Sequence, residues 1–425
     1  MKLRSILVAS AAALALAACN KAPEPAPVAA TPAAETPPPV KLAAADPMNG
    51  DGGVPAFYSD APATPELVAK PGQLVRKEKL PDDFSLSNAG GADRIIYSST
   101  NGVDGKSPII VSGAVFLPKG EKPADGWPVI AWAHGTVGMA DICAPSNNKR
   151  SQRDTDYLNH WLAQGYAVVA SDYQGLGVPG PHPYLATRPE AWSVLDAVRA
   201  AEGDKDYGLS KKVVLVGQSQ GGGAAFATAV EASSYAPDVD IRGTVATGTP
   251  YFTTTTAPAT RDPNAVEGVF AYSLYILQLV GQVDPDFKPD DIITDTAKPV
   301  FDLTRTACLG ALEKAIVDNK ISQAVAFKSD PTPTTAKYYG LMAYSSLMPK
   351  GPVFMGTGGK DHDVPPPGQQ RLFEDACKAG AVIERHVYAD LDHSGTVNGS
   401  LKDSTPFVKK AFAGEAIAGN CPKAK

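Results

Sequence analysis

The chain has 425 residues, of which 44% are hydrophobic and 20% charged, with a formal net charge of −6. That balance describes a globular protein and excludes the broad basic surface that a nucleic-acid partner requires.

In chain order, Met1-Lys2-Leu3-Arg4 forms a short positive segment and Ser5 to Ala15 an apolar one, followed by Leu16-Ala17-Ala18-Cys19. This is the pattern of a bacterial lipoprotein signal over residues 1–19, with Cys19 as the lipidated residue. An ordinary secretory signal with Cys19 incidental is the alternative. Asn20 is not Asp, so by resemblance to bacterial lipoproteins there is no inner-membrane retention signal. The expectation is export, with anchoring of the chain at the outer membrane through Cys19, or else a periplasmic or secreted protein. Residues 20–55, rich in Pro and Ala, have few large apolar groups to bury and read as a disordered tether. The longest later apolar run, Tyr272 to Val280, falls well short of the ~18 residues that a membrane-spanning helix needs.

Residues 56–425 alternate short apolar runs with helical stretches. Strands are expected at Ile109–Val111 with Ala114–Leu117, Val129–Ala133, Tyr166–Ala170, Val213–Val216, Thr244–Ala246, Val353–Met355 and Val382–Tyr388. Helices are expected at Asp156–Gln164, Arg188–Glu202 and Gly221–Ala232. Such alternation builds a mostly parallel central sheet flanked by helices. It breaks at about 251–346, which reads as an inserted helical cap with helices at Val269–Leu279 and Ala311–Ile321. Val269 to Leu277 is either the cap's own core or the lining of an acyl pocket. Apart from Cys19 there are four cysteines, Cys143, Cys308, Cys377 and Cys421. They allow three pairings, or they are free thiols. No Cys or His has metal-ligand spacing, and neither a metal nor a cofactor is expected.

Lys212 to Val216 leads into Gly217-Gln218-Ser219-Gln220-Gly221 and then a small-residue helix. The five-residue pattern alone is weak; strand before and helix after make it a nucleophile elbow of the α/β-hydrolase fold. A sharp turn exposes the Ser219 hydroxyl, and the helix N-terminus faces developing negative charge. Upstream, Ala133-His134-Gly135-Thr136 ends a strand and suits an oxyanion loop, with the N–H groups of Thr136 and Gln220 as the donors. A tight turn with no catalytic role is the bland reading of both motifs. The base should follow Ser219 in the chain. Of six histidines, His134, His160 and His182 precede it, His386 lies inside a strand, and His362 is wedged between two aspartates. His393, in the polar loop after the last strand, is the expected base. Asp361, in the loop after Val353–Met355, is the expected orienting acid, with Asp363 second.

These residues together resemble the secretory lipase family, the group of the fungal lipase A type and its bacterial relatives. The resemblance runs from Phe57-Tyr58 and Pro71-Gly72-Gln73-Leu74 to His393. Its most specific pieces are His134-Gly135-Thr136 with Cys143-Ala144-Pro145-Ser146, Asp172 to Gly177, the Ser219 elbow, and Gly358 to Pro365. It implies hydrolysis of small-molecule or lipid esters, often triacylglycerols, without a cofactor, beneath a helical cap. It also implies pairing of Cys143 with Cys308 and of Cys377 with Cys421. The tether and Cys19 lie outside the family pattern. His134-Gly135-Thr136 stands where fungal members use an acidic side chain. A peptidase or acyltransferase with the same triad, and a non-catalytic binding lipoprotein on this scaffold, remain rival readings.

Overall fold

The computed structural model describes residues 46–60, 69–255 and 261–422. The signal, Cys19 and most of the tether lie outside them. Nine strands form one sheet among the described residues, in the order β1-β2-β3-β5-β4-β6-β7-β8-β9. They are β1 (Leu74–Lys79), β2 (Ala89–Thr100), β3 (Pro108–Pro118), β4 (Trp127–Ala133), β5 (Ala167–Ser171), β6 (Leu209–Gln218), β7 (Asp240–Thr247), β8 (Val353–Gly358) and β9 (Ile383–Tyr388). From β5 to β9 every neighbouring pair is parallel; β1, β2 and β3 add an antiparallel edge.

The helices that matter here are α1 (Gln152–Ala163), α2 (Thr187–Gly203), α3 (Gln220–Tyr235), α4 (Ala271–Val283), α5 (Leu309–Asp318), α6 (Pro366–Ala379) and α7 (Leu401–Ala413). The period of two along β6 divides the core. Val213 and Leu215 pack with α2 and α3, while Val214 and Val216 pack with α1 and α7 on the other face. All four side chains are fully buried, each contributing about 1.5–3 kcal/mol relative to exposure. Burial on both faces is why these strands read as continuous apolar runs.

The edge strand β1 and its neighbour β2 lie outside the strands expected from sequence. Leu74-Val75-Arg76-Lys77-Glu78-Lys79 carries charge and lies half exposed at the sheet edge, where a strand needs little apolar patterning. The tether also meets the body earlier than residue 55. Gly52 N–H donates to Asp141 Oδ2 at 3.0 Å, Gly180 N–H to Asp51 Oδ1 at 3.1 Å, and Gln278 Nε2 to Met48 O at 3.3 Å. Composition favours an extended chain there, but polar side chains placed by distant elements hold it.

Between β7 and β8, α4 and α5 enclose a separate apolar cluster. Phe270, Leu274, Leu277, Val300, Phe301, Leu312 and Ile316 are buried in it, together with Met139 and Tyr184 from the body. Disulfides join Cys143 to Cys308 and Cys377 to Cys421. The first ties the loop after β4 to the start of α5. Beside it, Leu309 N–H donates to Val137 O at 2.8 Å and Gly138 bridges to Cys308.

The Cys143–Cys308 link closes a separation of 165 residues. Replacing both cysteines with serine should cost about 2–4 kcal/mol in urea unfolding. An unchanged unfolding midpoint and slope would show that the link constrains nothing.

Candidate active site

Ser219 is the turn between β6 and α3, with φ 59° and ψ −125°. A side chain in that region costs roughly 1–3 kcal/mol and persists only where neighbours impose it. Here the Ser219 N–H donates to Thr247 O at 2.9 Å, and its carbonyl accepts from Gly223 N–H at 3.1 Å. A Cβ on Gly217 would lie 1.9 Å from Gly221 O, and one on Gly221 would lie 2.0 Å from Ala133 O. The glycines therefore let the backbones of β4, β6 and α3 meet at one point.

The loop after β4 arrives beside this turn. A Cβ built on Gly135 would stand 3.5 Å from Ser219 Cβ. Buried His134 fastens the loop: its Nδ1 is 2.7 Å from Gly135 O and its Nε2 is 3.2 Å from Asp172 O. Its ring stacks on Tyr173 at 4.2 Å, and the Tyr173 hydroxyl donates to His134 O at 2.9 Å. Asp172 accepts from Ser112 Oγ at 2.7 Å and from Ser146 N–H at 2.9 Å. The Thr136 hydroxyl pairs with the Tyr184 hydroxyl at 2.7 Å.

Gln220 opens α3, and its side chain is anchored underneath. Its Nε2 donates to Glu190 Oε1 at 2.8 Å and to His182 Nε2 at 3.2 Å. The other ring nitrogen of His182 donates to Gln174 O at 2.9 Å, so Nε2 carries the lone pair. Burial pulls the His182 imidazole down to about 4 and pushes the Glu190 carboxyl up to about 8. This anchor joins Gln220, on α3, to Glu190 in the first turn of α2.

β8 and β9 bring Asp361 and His393 to the same edge. His393 Nδ1 lies 2.8 Å from Asp361 Oδ2 across a sequence separation of 32. Asp361 also accepts from Gln369 Nε2 at 3.0 Å and from the N–H groups of Asp363 and Val364 at 3.0 and 2.8 Å. With donors on every side, the carboxyl acts as acceptor and the facing Nδ1 holds the proton. Gly248, at φ 57°, leaves space for the ring; a Cβ there would be 2.7 Å from His393 Cε1. The lone pair on Nε2 receives the Gln218 amide at 2.9 Å. Asp363 Oδ2 lies 4.0 Å from the same Nε2 and 3.4 Å from the Tyr272 hydroxyl of α4. Of the two loop aspartates, Asp361 occupies the orienting position and Asp363 the opposite end of the ring. Ser219, Asp361 and His393 are 7%, 3% and 6% exposed.

The remaining histidines stand elsewhere. His386 pairs with Glu384 and stacks on Phe354, His160 meets the Thr405 hydroxyl, and His362 is exposed. Sequence reasoning did not single out the side chains of Gln218, Gln369, Glu190 or Tyr272. Gln218 fills a variable place in the elbow motif, and nothing local marks the other three.

A family model described as secretory lipase matches residues 142–419, a span that includes Ser219, Asp361 and His393 but not Thr136. A lipase A from Moesziomyces aphidis is 25% identical, over 84% of this chain and 79% of its own length. A secreted triacylglycerol lipase of Malassezia globosa is 26% identical, over 83% and 78%. The crystal structure of Candida antarctica lipase A in its closed state superimposes with a TM-score of 0.67 at 23% identity, covering 85% of this chain and 87% of that one.

Glu190 gives a pH signature. Its carboxyl titrates at 4.5 in the unfolded chain and about 8 in the fold, so the folded state holds a proton that the unfolded state loses. Stability from this group is full below pH 4.5 and is lost as pH rises through about 8. Urea unfolding at pH 5 and pH 8 should show a smaller loss for Glu190→Gln than for the parent. Equal losses would remove Glu190 as the source.

Proposed function

The chain belongs to the secretory lipase family, and from that premise we propose how it works as a carboxylic-ester hydrolase: through an acyl-enzyme on Ser219. The observation that carries this reading is the 2.8 Å bond between His393 Nδ1 and Asp361 Oδ2 beside the strained Ser219 turn. Because Nδ1 holds the proton, Nε2 is the free base. Ser219 Oγ attacks the ester carbonyl while Nε2 takes its proton. The Gln218 amide, which donates to that nitrogen, has to yield the lone pair. The tetrahedral oxyanion is held by the N–H groups of Thr136 and Gln220. Collapse expels the alcohol, which receives the proton from Nε2. Water then repeats the sequence and frees the acid. Asp361 accepts from Nδ1 throughout and keeps the ring oriented.

Ester substrates of lipid type suit the apolar cap of residues 251–346, and triacylglycerols are the substrate class we put first. Family membership makes this a secretory protein, and two disulfides suit an oxidising compartment. We propose more narrowly that residues 1–19 are a lipoprotein signal, that Cys19 becomes lipidated, and that the enzyme is held at the outer membrane. The positive, apolar and small-residue segments ending at Cys19 support this.

Ser219→Ala should lower hydrolysis of p-nitrophenyl esters by about 10⁴-fold or more and abolish labelling by a fluorophosphonate probe, without loss of fold. Persistent turnover at the parental rate would place the nucleophile elsewhere. Separately, Cys19→Ser in bacterial cells should stop incorporation of labelled palmitate and release activity from the membrane fraction. Palmitate incorporation that survives the change would rule Cys19 out as the lipidated residue.

A further inference from the structure

Asp363 is not needed to orient His393, because Asp361 does that from the Nδ1 side. Its carboxylate instead stands on the side where the chemistry happens. Asp363 Oδ2 and His393 Nε2 are 4.0 Å apart, and both are hydrogen-bond acceptors once the Gln218 amide, 2.9 Å from Nε2, has given up the lone pair as catalysis already requires. A single oxygen placed about 2.8 Å from each would subtend roughly 90° between them, close to the spread of the two hydrogens of water. The Asp363 backbone N–H is bonded to Asp361 Oδ1 at 3.0 Å, so the loop is fixed to the triad acid and the side chain reaches back toward the imidazole. The carboxylate also meets the Tyr272 hydroxyl, at a long 3.4 Å, and faces the half-buried Glu313; neither uses up its acceptor capacity.

We propose that Asp363 is a catalytic residue of the second half-reaction, holding the water that attacks the acyl-enzyme and favouring water over alcohols as acyl acceptor. This rests on the reading of Ser219 and His393 given above. In the step, one water hydrogen points at Nε2 and the other at Asp363 Oδ2. The water oxygen bonds to the acyl carbon as Nε2 takes the first hydrogen as a proton. Asp363 keeps only a hydrogen bond to the second. The tetrahedral intermediate then breaks its bond to Ser219 Oγ, which receives the proton from Nε2. The product is the free carboxylic acid, which ionises in solution.

An alcohol has one hydroxyl hydrogen. If it gives that hydrogen to Nε2, its alkyl group faces Asp363 and leaves a carboxylate oxygen without a donor. The Asp363 side chain is 32% exposed, so solvent offsets part of that loss and the discrimination amounts to about one hydrogen bond. The same residue thereby decides between hydrolysis and acyl transfer, two reactions that the triad alone does not separate.

The test is a competition between water and 1-propanol for the acyl-enzyme formed from p-nitrophenyl butyrate. Propyl butyrate and butyrate are quantified together by gas chromatography. Any influence of the Asp363 charge on the imidazolium enters both branches and cancels in the ratio. Asp363→Ala should raise the ratio of transfer to hydrolysis roughly fivefold, the weight of one hydrogen bond. Asp363→Asn, which keeps an acceptor oxygen, should raise it less. It also carries the test if the alanine variant does not fold. Tyr272→Phe should keep the parental ratio. An unchanged ratio in Asp363→Ala would overturn the proposal. So would an equal rise in Tyr272→Phe, which would trace the effect to the cap contact. Failure of the parent protein to form an acyl-enzyme on Ser219 would instead overturn the reading on which the proposal stands.

Discussion

The site depends on one close approach of backbones. Ser219 sits at positive φ because its N–H and C=O are both claimed, by Thr247 and Gly223. That arrangement is possible only because Gly217 and Gly221 have no side chains to drive β6, α3 and β4 apart. Three of the four non-glycine residues at positive φ among the described residues, Tyr173, Leu185 and Ser219, belong to loops at this edge. The loop geometry is thus strained where it carries the candidate chemistry and relaxed in the flanking sheet, whose doubly buried strands supply the stability that tolerates the strain.

Around the turn lies a second layer of buried polar groups. His134 and Tyr173 lock the loop of Thr136 against the segment after β5, and Glu190 and His182 hold the side chain of Gln220. Preorganised donors are effective when their supports do not move during reaction. The cap is tied into the same layer. Cys308 and Leu309 grip Gly138 and Val137, just beyond Thr136, while Tyr272 reaches the loop of Asp363. Among the described residues the cap thus contacts the loops that hold the reacting groups, with Tyr275 also packed on Tyr184 and Arg261 bonded to His362 O.

What could be read from sequence follows from locality. The doubly buried strands show as apolar runs, and Ser219 shows as a glycine-flanked turn between a strand and a helix. His393 stands out by chain order and by its loop. The edge strand β1 does not show, because charged residues such as Lys77 and Lys79 face solvent there. The end of the tether was misplaced because Asp141 and Gln278, far along the chain, supply its hydrogen bonds. Asp361 and Asp363 are two residues apart in one loop, and no local pattern says which meets Nδ1 and which faces Nε2. That distinction exists only once β8 and β9 have set the loop against the ring. Gln218, Gln369 and Glu190 were missed for the same reason: a glutamine or buried glutamate gains its meaning from the partner that folding delivers.

The central claim is that ester hydrolysis passes through a covalent acyl group on Ser219. Rapid acid quench during turnover of p-nitrophenyl butyrate, followed by peptide mass spectrometry, tests it directly. The account predicts a butyryl adduct on the peptide carrying Ser219, confined to that residue by fragmentation and absent after turnover is complete. Steady turnover with no adduct on Ser219, or with the acyl group on another side chain, would contradict it.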